Sequence, residues 1–258
     1  FSYTDIAEQV SPFLLMDYAG PTEFPPTQQK LGVGQHPHRG FETVTIVYTG
    51  GVSHRDSSGG GGDIGPGDVQ WMTAGSGIIH EEYHSPAFAM QGGSFEMIQL
   101  WVNLPAEHKM TTPGYQSIKA KQIPEIELPN QAGHARIIAG HYAQKTGPAQ
   151  TFTPINLWDM QLHAGHQVRL ELPADHSTAL FVLHGRLQVD QQTVTDSEMA
   201  VMQNNHSQLA FETEQASRLL LLSGEPLHEP IVGHGPFVMN TEAEIRLAID
   251  EFKRGRFG

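Results

Sequence analysis

Two short stretches of the sequence carry the residues best suited to chemistry. The first contains His36 and His38, and the second contains His80 and Glu82. In an extended strand, side chains two positions apart project from the same face, so each pair offers two ligands in one direction. Glu42 follows His38 by four residues and can point the same way. Imidazoles with a carboxylate suit iron, manganese, nickel or zinc better than calcium or magnesium.

Neither pair predicts a metal site by itself. The chain has 15 histidines, so a His-x-His pair arises easily and can be solvated or satisfied in a core. The His-x-Glu pair, however, follows a turn, a strand and a second turn that would bring the chain back beside the first pair. Together the pairs predict one shared metal ion. The spacing leaves open whether Glu42 or Glu82 supplies the carboxylate, because both lie at even offsets from a ligand histidine.

Composition narrows the class of protein and the kind of site. The chain of 258 residues contains no cysteine, so a thiolate site and a disulfide framework are both excluded. Lys and Arg number 15 and Asp and Glu 28, and the resulting net charge of −13 repels nucleic acid. No apolar run reaches the roughly 20 residues of a membrane helix, and no basic segment precedes an apolar one at the N-terminus. We therefore predict a soluble cytoplasmic protein that binds neither nucleic acid nor membranes.

The elements that position these residues are predicted to be short strands. Runs of β-branched and aromatic residues at 43–49, 69–73 and 95–104 alternate with turns rich in Gly and Pro, and the second half repeats the pattern. Four prolines in 104–133 predict an irregular crossover. The sequence therefore predicts an all-β protein with two domains, 1–133 and 134–258.

One helix is predicted at the end of the second domain. Thr241 is a suitable N-cap, and Glu244 completes a capping box. An apolar stripe would pack the helix on a barrel; its members are Ile245, Ala248, Ile249 and Phe252. Gly255 can end the helix.

Four segments resemble the pirin family of two-domain cupins. They read HPHRGFETVT from His36, GDVQWMTAGSGIIHEE from Gly67, IQLWVNLP from Ile98 and GEPLHEPIVGHGPFVMNT from Gly224. The first contains the cupin pattern of His-x-His, three residues and Glu, and the second contains Gly-x-x-His. The second departs from the general cupin pattern, which has Pro where this chain has Gly75 and Asn where it has His84. The segments occur in the family's order over nearly the whole chain.

The resemblance implies a bicupin fold and an iron site. Pirins have two stacked antiparallel β-barrels, of the double-stranded β-helix or jelly-roll type, and Fe(II) in the first barrel. Carried over position by position, the ligands are His36, His38, His80 and Glu82, and nickel, copper, zinc or manganese can replace iron. Glu42 would then orient a ligand imidazole from outside the ligand set. The second barrel has no His-x-His pair, and we predict that it holds no metal.

The resemblance also implies quercetin 2,3-dioxygenase activity. In that reaction the deprotonated 3-hydroxyl of a flavonol binds the metal, dioxygen is inserted, and the heterocycle opens with loss of carbon monoxide. We predict Glu82 as the general base, or Glu42 if Glu82 is firmly coordinated. His54, Asp56 and Gln99 are further candidates near the site. An aromatic-binding pocket is predicted from Phe41, Trp71, Met72 and Trp101.

A second function from another class fits the same resemblance. Some pirins resemble regulators, which bind protein partners according to the oxidation state of their iron. The metal site would then be a redox switch, and turnover would be incidental. Aerobic turnover of quercetin favours the enzyme, whereas partner binding that depends on oxidation state favours the switch.

Overall fold

The computed structural model describes residues 1–203 and 207–257. The chain folds into two compact units, each built from segments that are not contiguous in sequence. Unit 1 combines Phe1–Ala7, Phe13–Ala120 and the segment from Leu227 to the C-terminus. Unit 2 combines Glu8–Pro12 with Lys121–Pro226.

Unit 1 contains the two stretches that carry the predicted ligands. Its first ten elements are β1 (Phe13–Phe24), β2 (Gly32–His38), β3 (Phe41–Thr49), β4 (Val52–Asp56), β5 (Gly61–Ile64), β6 (Val69–Thr73), β7 (Ile78–His84), α1 (Pro86–Gln91), β8 (Gly93–Asn103) and β9 (Gly114–Ile118). They form a five-stranded antiparallel sheet, β1-β8-β3-β6-β9, and a four-stranded antiparallel sheet, β2-β7-β4-β5. A short 3₁₀ helix covers Ala106–His108, and a second one, Ala120–Gln122, lies where the chain passes from unit 1 to unit 2. The central strand β3 is buried along nearly its whole length, as its run of Thr, Val and Ile favours.

Unit 2 repeats the two-sheet arrangement. Its strands are β10 (Glu125–Glu127), β11 (Gly133–Ala139), β12 (His141–Tyr142), β13 (Lys145–Thr146), β14 (Ile155–Leu162), β15 (His166–Glu171), β16 (Ser177–His184), β17 (Arg186–Val189), β18 (Gln192–Thr195), β19 (Met199–Val201), β20 (Gln208–Thr213) and β21 (Ser217–Gly224). The sheets have the orders β10-β11-β14-β21-β16-β19 and β15-β20-β17-β18, with β12-β13 as a separate pair. A 3₁₀ helix covers Pro129–Gln131. The core between the sheets is built from buried Leu, Val and Ile around Trp158.

The C-terminal segment adds β22 (Val232–His234), β23 (Phe237–Met239) and α2 (Glu242–Lys253). Thr241 caps α2 by accepting a hydrogen bond from the backbone N–H of Glu244, and Gly255 adopts a positive φ of 67° just after the helix. The predicted all-β fold with a C-terminal helix is thus confirmed. In the described residues, neither α-helix is long and apolar enough to cross a membrane.

The division of the chain differs from the predicted boundary at residue 133. The prediction of 134–258 as one domain is corrected at both ends, because residues 121–133 belong to unit 2 and residues from 227 onward belong to unit 1. The reason at the first end is pairing: β10 hydrogen-bonds to β11. At the second end, Ile245 and Ala248 of α2 pack with Phe237 and with the half-buried Ile79 of β7. Sequence order gives no sign that the chain's two ends share a unit.

Candidate metal centre

Three imidazoles converge on one face of the four-stranded sheet. His36 lies directly opposite His80 in the register of β2 and β7, and His38 projects from the same face of β2. The ring centroids are 4.2 Å apart for His36 and His80 and 4.8 Å apart for His38 and His80. One nitrogen from each ring lies within 4.8 Å of the others. The predicted convergence of two His-containing stretches is therefore present.

Burial favours the neutral form of two of the three rings, His38 and His80, and neutral rings are what a metal requires. Burial lowers the pKa of His38 to about 3, and the neighbouring His36 adds to that effect. Burial also lowers the pKa of His80 to about 2, and the charge of Glu82 opposes the shift only partly. Nε2 of His80 is buried and has no hydrogen-bond partner among the described atoms. A buried ring nitrogen without a partner is what a metal ligand offers before the metal binds.

His36 is held in a defined orientation by the backbone. Its Nδ1 lies 2.8 Å from the carbonyl oxygen of Gly34. A carbonyl can only accept, so Nδ1 carries a proton, and in the neutral form of the ring the lone pair lies on Nε2. This is the tautomer that leaves one nitrogen of the half-exposed His36 available to an ion.

Glu82 lies beside His80 but forms a second group. One cluster consists of His36, His38 and His80, and the other of His54, His80 and Glu82. His80 is the member that the two clusters share. Oε1 of Glu82 accepts hydrogen bonds from Thr45 Oγ1 at 3.2 Å and from Gln70 Nε2. Burial raises the pKa of Glu82, but the neighbouring His54 and the hydrogen bond from Thr45 act against burial, so the pKa is lowered and the carboxylate is ionised.

Thr45 and Gln70 lie on the five-stranded sheet, so the site sits between the two sheets of unit 1. Thr45 also contacts Gln99, whose Oε1 is 2.8 Å from Thr45 Oγ1. The amide of Gln99 therefore reaches the polar network around Glu82. These residues are neighbours because Thr45 pairs with Gln70 on one side and with Gln99 on the other. Strand pairing across β3, which sequence alone does not give, assembles this network.

The structure does not bring Glu42 to the site. Phe41 and Thr45 face the metal site from β3, and Glu42, one residue after Phe41, projects from the opposite face. Its carboxylate accepts a hydrogen bond from Thr73 at 2.7 Å. The even spacing between His38 and Glu42 misleads because a turn at Arg39 and Gly40 separates β2 from β3. Burial raises the pKa of Glu42 to about 7, against the hydrogen bond from Thr73.

The predicted aromatic pocket is only partly present. Phe41, Trp71 and Met72 are fully buried, with no exposed surface, so they fill the core and do not line an open pocket. Trp101 is half-buried. It stacks on Phe41 with ring centroids 4.2 Å apart and meets His38 edge-on at 5.2 Å. Trp101 is therefore the member of the predicted set that can offer an aromatic surface beside the site.

His54 and Asp56 are closer to the site than their place after a turn indicates. Both lie on β4 and face inward, and Asp56 is opposite His80 in the register of β4 and β7. His54 Nε2 is 3.0 Å from Asp56 Oδ2, and His54 Nδ1 is 3.3 Å from His80 Nδ1. Burial opposes the charged form of His54, but Glu82 and Asp56 favour it more strongly and raise its pKa. The His-x-Asp alternation was the sequence signal for this arrangement.

A cavity of about 780 Å³ lies beside β4 and β5. Its lining includes His54, Asp56, the half-buried Tyr83 and the exposed Met90. Lys30 lies 5.1 Å from the ring centroid of Tyr83. The volume falls within the range of small-molecule pockets. None of His36, His38, His80 and Glu82 lines it.

The segment after His38 is fixed by the C-terminal part of unit 1. Arg39 is 3% exposed, and its guanidinium bonds Glu251 of α2 at 2.7 Å and the carbonyl of Ser76 at 2.7 Å. Lys109, 1% exposed, donates to the carbonyls of Gly40 and Val238 and to Asn103 at 2.7–2.9 Å. These contacts hold the turn between β2 and β3, and with it the position of His38.

A β protein of two units, with histidines clustered between the sheets of the first, has the architecture of a two-domain cupin. Sequence models define the family more closely. The Pirin model matches residues 1–102, and the model of the Pirin C-terminal cupin domain matches residues 157–258. The chain belongs to the pirin family, as the four segments predicted.

Individual relatives are similar to this chain over most or all of its length. A Pseudomonas aeruginosa protein, provisionally named a quercetin 2,3-dioxygenase, is 55% identical over all of this chain and 90% of its own length. Pirin-1 of Arabidopsis thaliana is 36% identical over 88% of this chain and 78% of its own length. The crystal structure of an Acinetobacter baumannii protein named quercetin 2,3-dioxygenase superposes with a TM-score of 0.97 at 52% identity, covering all of this chain and 90% of that one. The predicted cupin fold in two domains is confirmed.

Proposed function

We propose that this protein is an Fe(II)-dependent dioxygenase of the quercetin 2,3-dioxygenase type, which opens the heterocycle of a flavonol. The observation that carries the proposal is the cluster of three imidazoles, two of them held neutral by burial, beside an ionised carboxylate between the sheets of unit 1. The names of the Pseudomonas and Acinetobacter relatives support the choice of reaction.

The residues present fit a ferrous ion. His36, His38, His80 and Glu82 would hold it, since three nitrogens and one oxygen suit Fe(II), and nickel, copper, zinc and manganese also accept such ligands. The buried Nε2 of His80, which has no partner among the described atoms, supports this assignment. When bound, the metal supplies Lewis acidity and the ability to activate dioxygen.

The protein's own residues handle the substrate's proton and orientation. We assign Glu82 as the base that accepts the proton of the flavonol 3-hydroxyl, because its carboxylate is ionised and lies at the site. Gln70 and Thr45 fix this carboxylate through Oε1. Glu42 is not proposed as the base, since it lies on the opposite face of β3. The half-buried Trp101 offers apolar surface next to His38 that an aromatic substrate can contact.

The test is turnover with a defined metal content. Protein loaded with Fe(II) under anaerobic conditions is mixed with quercetin and air, and quercetin loss, dioxygen uptake and carbon monoxide release are measured together. Equal amounts of all three are expected. No turnover at full iron occupancy overturns the enzyme proposal, and partner capture with ferrous and ferric protein then tests the regulatory function.

The ligand assignment is tested separately by metal content. His80→Ala should lose most bound metal, whereas His163→Ala should retain it, because His163 is exposed in unit 2. We propose that unit 2 holds no metal, since its sequence has no His-x-His pair. Glu82→Gln should weaken metal binding strongly and Glu42→Gln only modestly. Equal metal content in the two histidine variants contradicts the assignment.

A further inference from the structure

Three half-buried side chains form an apolar surface at the His38 end of the metal cluster. Trp101 meets the ring of His38 edge-on, with centroids 5.2 Å apart. Tyr3 lies nearly parallel to Trp101, with ring centroids 6.4 Å apart and planes at 18°. Ile231 completes the surface, and the proposed function assigns no role to Tyr3 or Ile231. The three side chains pack on a small buried cluster, whose members are Ala7, Leu14, Phe41 and Val238.

Strand β8 places this surface next to the metal site. Trp101 and Gln99 are two residues apart on β8, so they project from the same face. Gln99 lies 2.8 Å from Thr45 in the polar network around Glu82, whereas Trp101 reaches His38. The metal site therefore has a polar side at Gln99 and an apolar side at Trp101. From Trp101 the apolar surface continues to Tyr3, one aromatic ring further from His38.

Tyr3 is held in place by both ends of unit 1. Its hydroxyl donates a hydrogen bond to the carbonyl of Gly235 at 3.1 Å. Its ring lies against the backbone of Gly233, where an added Cβ would overlap the ring. The backbone N–H of Met16 on β1 donates to the carbonyl of Phe1 at 3.0 Å, which ties the segment before Tyr3 to the sheet. The ring is thus positioned before any ligand binds, which lowers the cost of binding.

The shape of a flavonol matches this arrangement. Its 3-hydroxyl and the neighbouring carbonyl lie on the central ring, and two aromatic rings extend beyond that ring. With the 3-hydroxyl at the metal site, an aromatic ring that lies on the His38 side meets Trp101 first and Tyr3 next. Aromatic rings attract one another at the centroid separations found here, and none of the three side chains of the surface is charged.

We propose that Tyr3 is a specificity-determining residue, which contacts an aromatic ring of the substrate together with Trp101 and Ile231. The protein would then select substrates that carry aromatic rings next to the metal-binding hydroxyl. The inference rests on the metal site and the substrate class of the proposed function, but it does not depend on the reaction with dioxygen.

Two ligands separate contact at the metal from contact with Tyr3. Maltol is a 4-pyranone with the same hydroxyl and carbonyl but no aromatic ring, whereas 3-hydroxyflavone has the same pair of groups and two aromatic rings. Their affinities for Fe(II)-loaded protein are measured by anaerobic calorimetric titration, so nothing is consumed. Iron content is measured before and after each titration. We expect the wild type to bind 3-hydroxyflavone at least about 10-fold more tightly than maltol.

Tyr3→Ala should weaken the binding of 3-hydroxyflavone about 10-fold and change that of maltol by less than about twofold. Tyr3→Phe keeps the ring and should keep most of the affinity. Gly233→Ala leaves Tyr3 in the sequence but displaces its ring, so it should also weaken the binding of 3-hydroxyflavone and spare that of maltol. This second variant tests the contact without removing the tyrosine.

The matched control is Tyr142→Ala in unit 2. Tyr142 is half-buried and packs on Trp158 with ring centroids 4.9 Å apart, so the variant removes a similar ring from a similar pair. It should bind both ligands as the wild type does.

The inference is overturned if Tyr3→Ala and Gly233→Ala bind 3-hydroxyflavone as tightly as the wild type. It is also overturned if these variants lose affinity for maltol equally, because Tyr3 would then act through the metal site, or if the wild type binds 3-hydroxyflavone no more tightly than maltol. If the selective loss is found but air leaves the bound 3-hydroxyflavone intact, the inference stands and the proposed dioxygenase function fails.

Discussion

The buried carboxyl of Glu42 makes the stability of unit 1 depend on pH in a specific direction. Glu42 is 1% exposed and accepts one hydrogen bond from Thr73. Burial raises its pKa from 4.5 to about 7. Between these values the folded chain binds more protons than the unfolded chain, so stability falls as pH rises. The stability that the protonated Glu42 contributes is fully present below pH 4.5 and is lost as the pH rises through about 7.

Glu42→Gln should remove the cost of holding an ionised carboxylate in the core at high pH. The pKa difference between folded and unfolded chains, at about 1.4 kcal/mol per unit, limits the gain to about 3 kcal/mol above pH 7. The amide is close in shape to the carboxylate, and its oxygen can accept the hydrogen bond from Thr73. We expect the variant to be more stable than the wild type by about 3 kcal/mol at pH 8 and by less than about 1 kcal/mol at pH 5.

Chemical denaturation at the two pH values, on metal-free protein, measures the effect. Subtracting the wild-type free energy of unfolding from that of the variant cancels the titration of every other group. Glu23→Gln is the control, because Glu23 is exposed on β1 and its replacement should change stability by less than about 0.5 kcal/mol at either pH. A difference for Glu42→Gln that is the same at pH 5 and pH 8, or that favours the wild type at pH 8, refutes the reasoning.

Three further substitutions test the contacts that support the site, each by chemical denaturation. Lys109→Met leaves three buried acceptors without a donor and should cost about 3 kcal/mol, at about 1 kcal/mol for each. Gly40→Ala should cost more than about 2 kcal/mol, because the residue has a φ of +88° and an added Cβ would lie 2.0 Å from the carbonyl oxygen of Val238. Thr241→Ala removes the N-cap of α2 and should cost about 1 kcal/mol.

Each of these has a matched control. Lys119→Met removes a half-exposed ion pair with Asp68 and a hydrogen bond to the carbonyl of Asp63, and it should cost less, about 1 kcal/mol. Gly65→Ala places a Cβ in open space without a positive φ, so it should be nearly neutral. Thr241→Ser keeps the capping hydroxyl. If any test variant is as stable as its control, the corresponding contact does not contribute as described.

The sequence predicted those parts of the site that follow from side-chain alternation within a single strand. The alternation in β2 and β7 placed His36 with His38, and His80 with Glu82, on shared faces, and strand pairing then brought three of the four together. The even spacing between His38 and Glu42 gave a wrong prediction, because the turn at residues 39–40 changes the face from which side chains project. A rule of alternation holds only within a strand.

Features that depend on long-range pairing could not be predicted. Thr45 meets Gln70 and Gln99 only because β3 lies between β6 and β8, and no local pattern reports that order. The Thr241 cap of α2 was predicted because capping is local, but the unit to which α2 belongs was not. From the sequence, His54 was only a further candidate, because its place at the site depends on contact with His80, which is 26 residues away in the sequence.

The contact between Arg39 and Glu251 has a consequence for the order of folding during synthesis. The residue that follows His38 is held by a helix made from the last part of the chain. Part of unit 1 is thus absent until residues 227–257 have been made. A stop codon before residue 227 would remove the contacts of Arg39 with Glu251 and of Lys109 with Val238, and with them part of the support of the turn after His38.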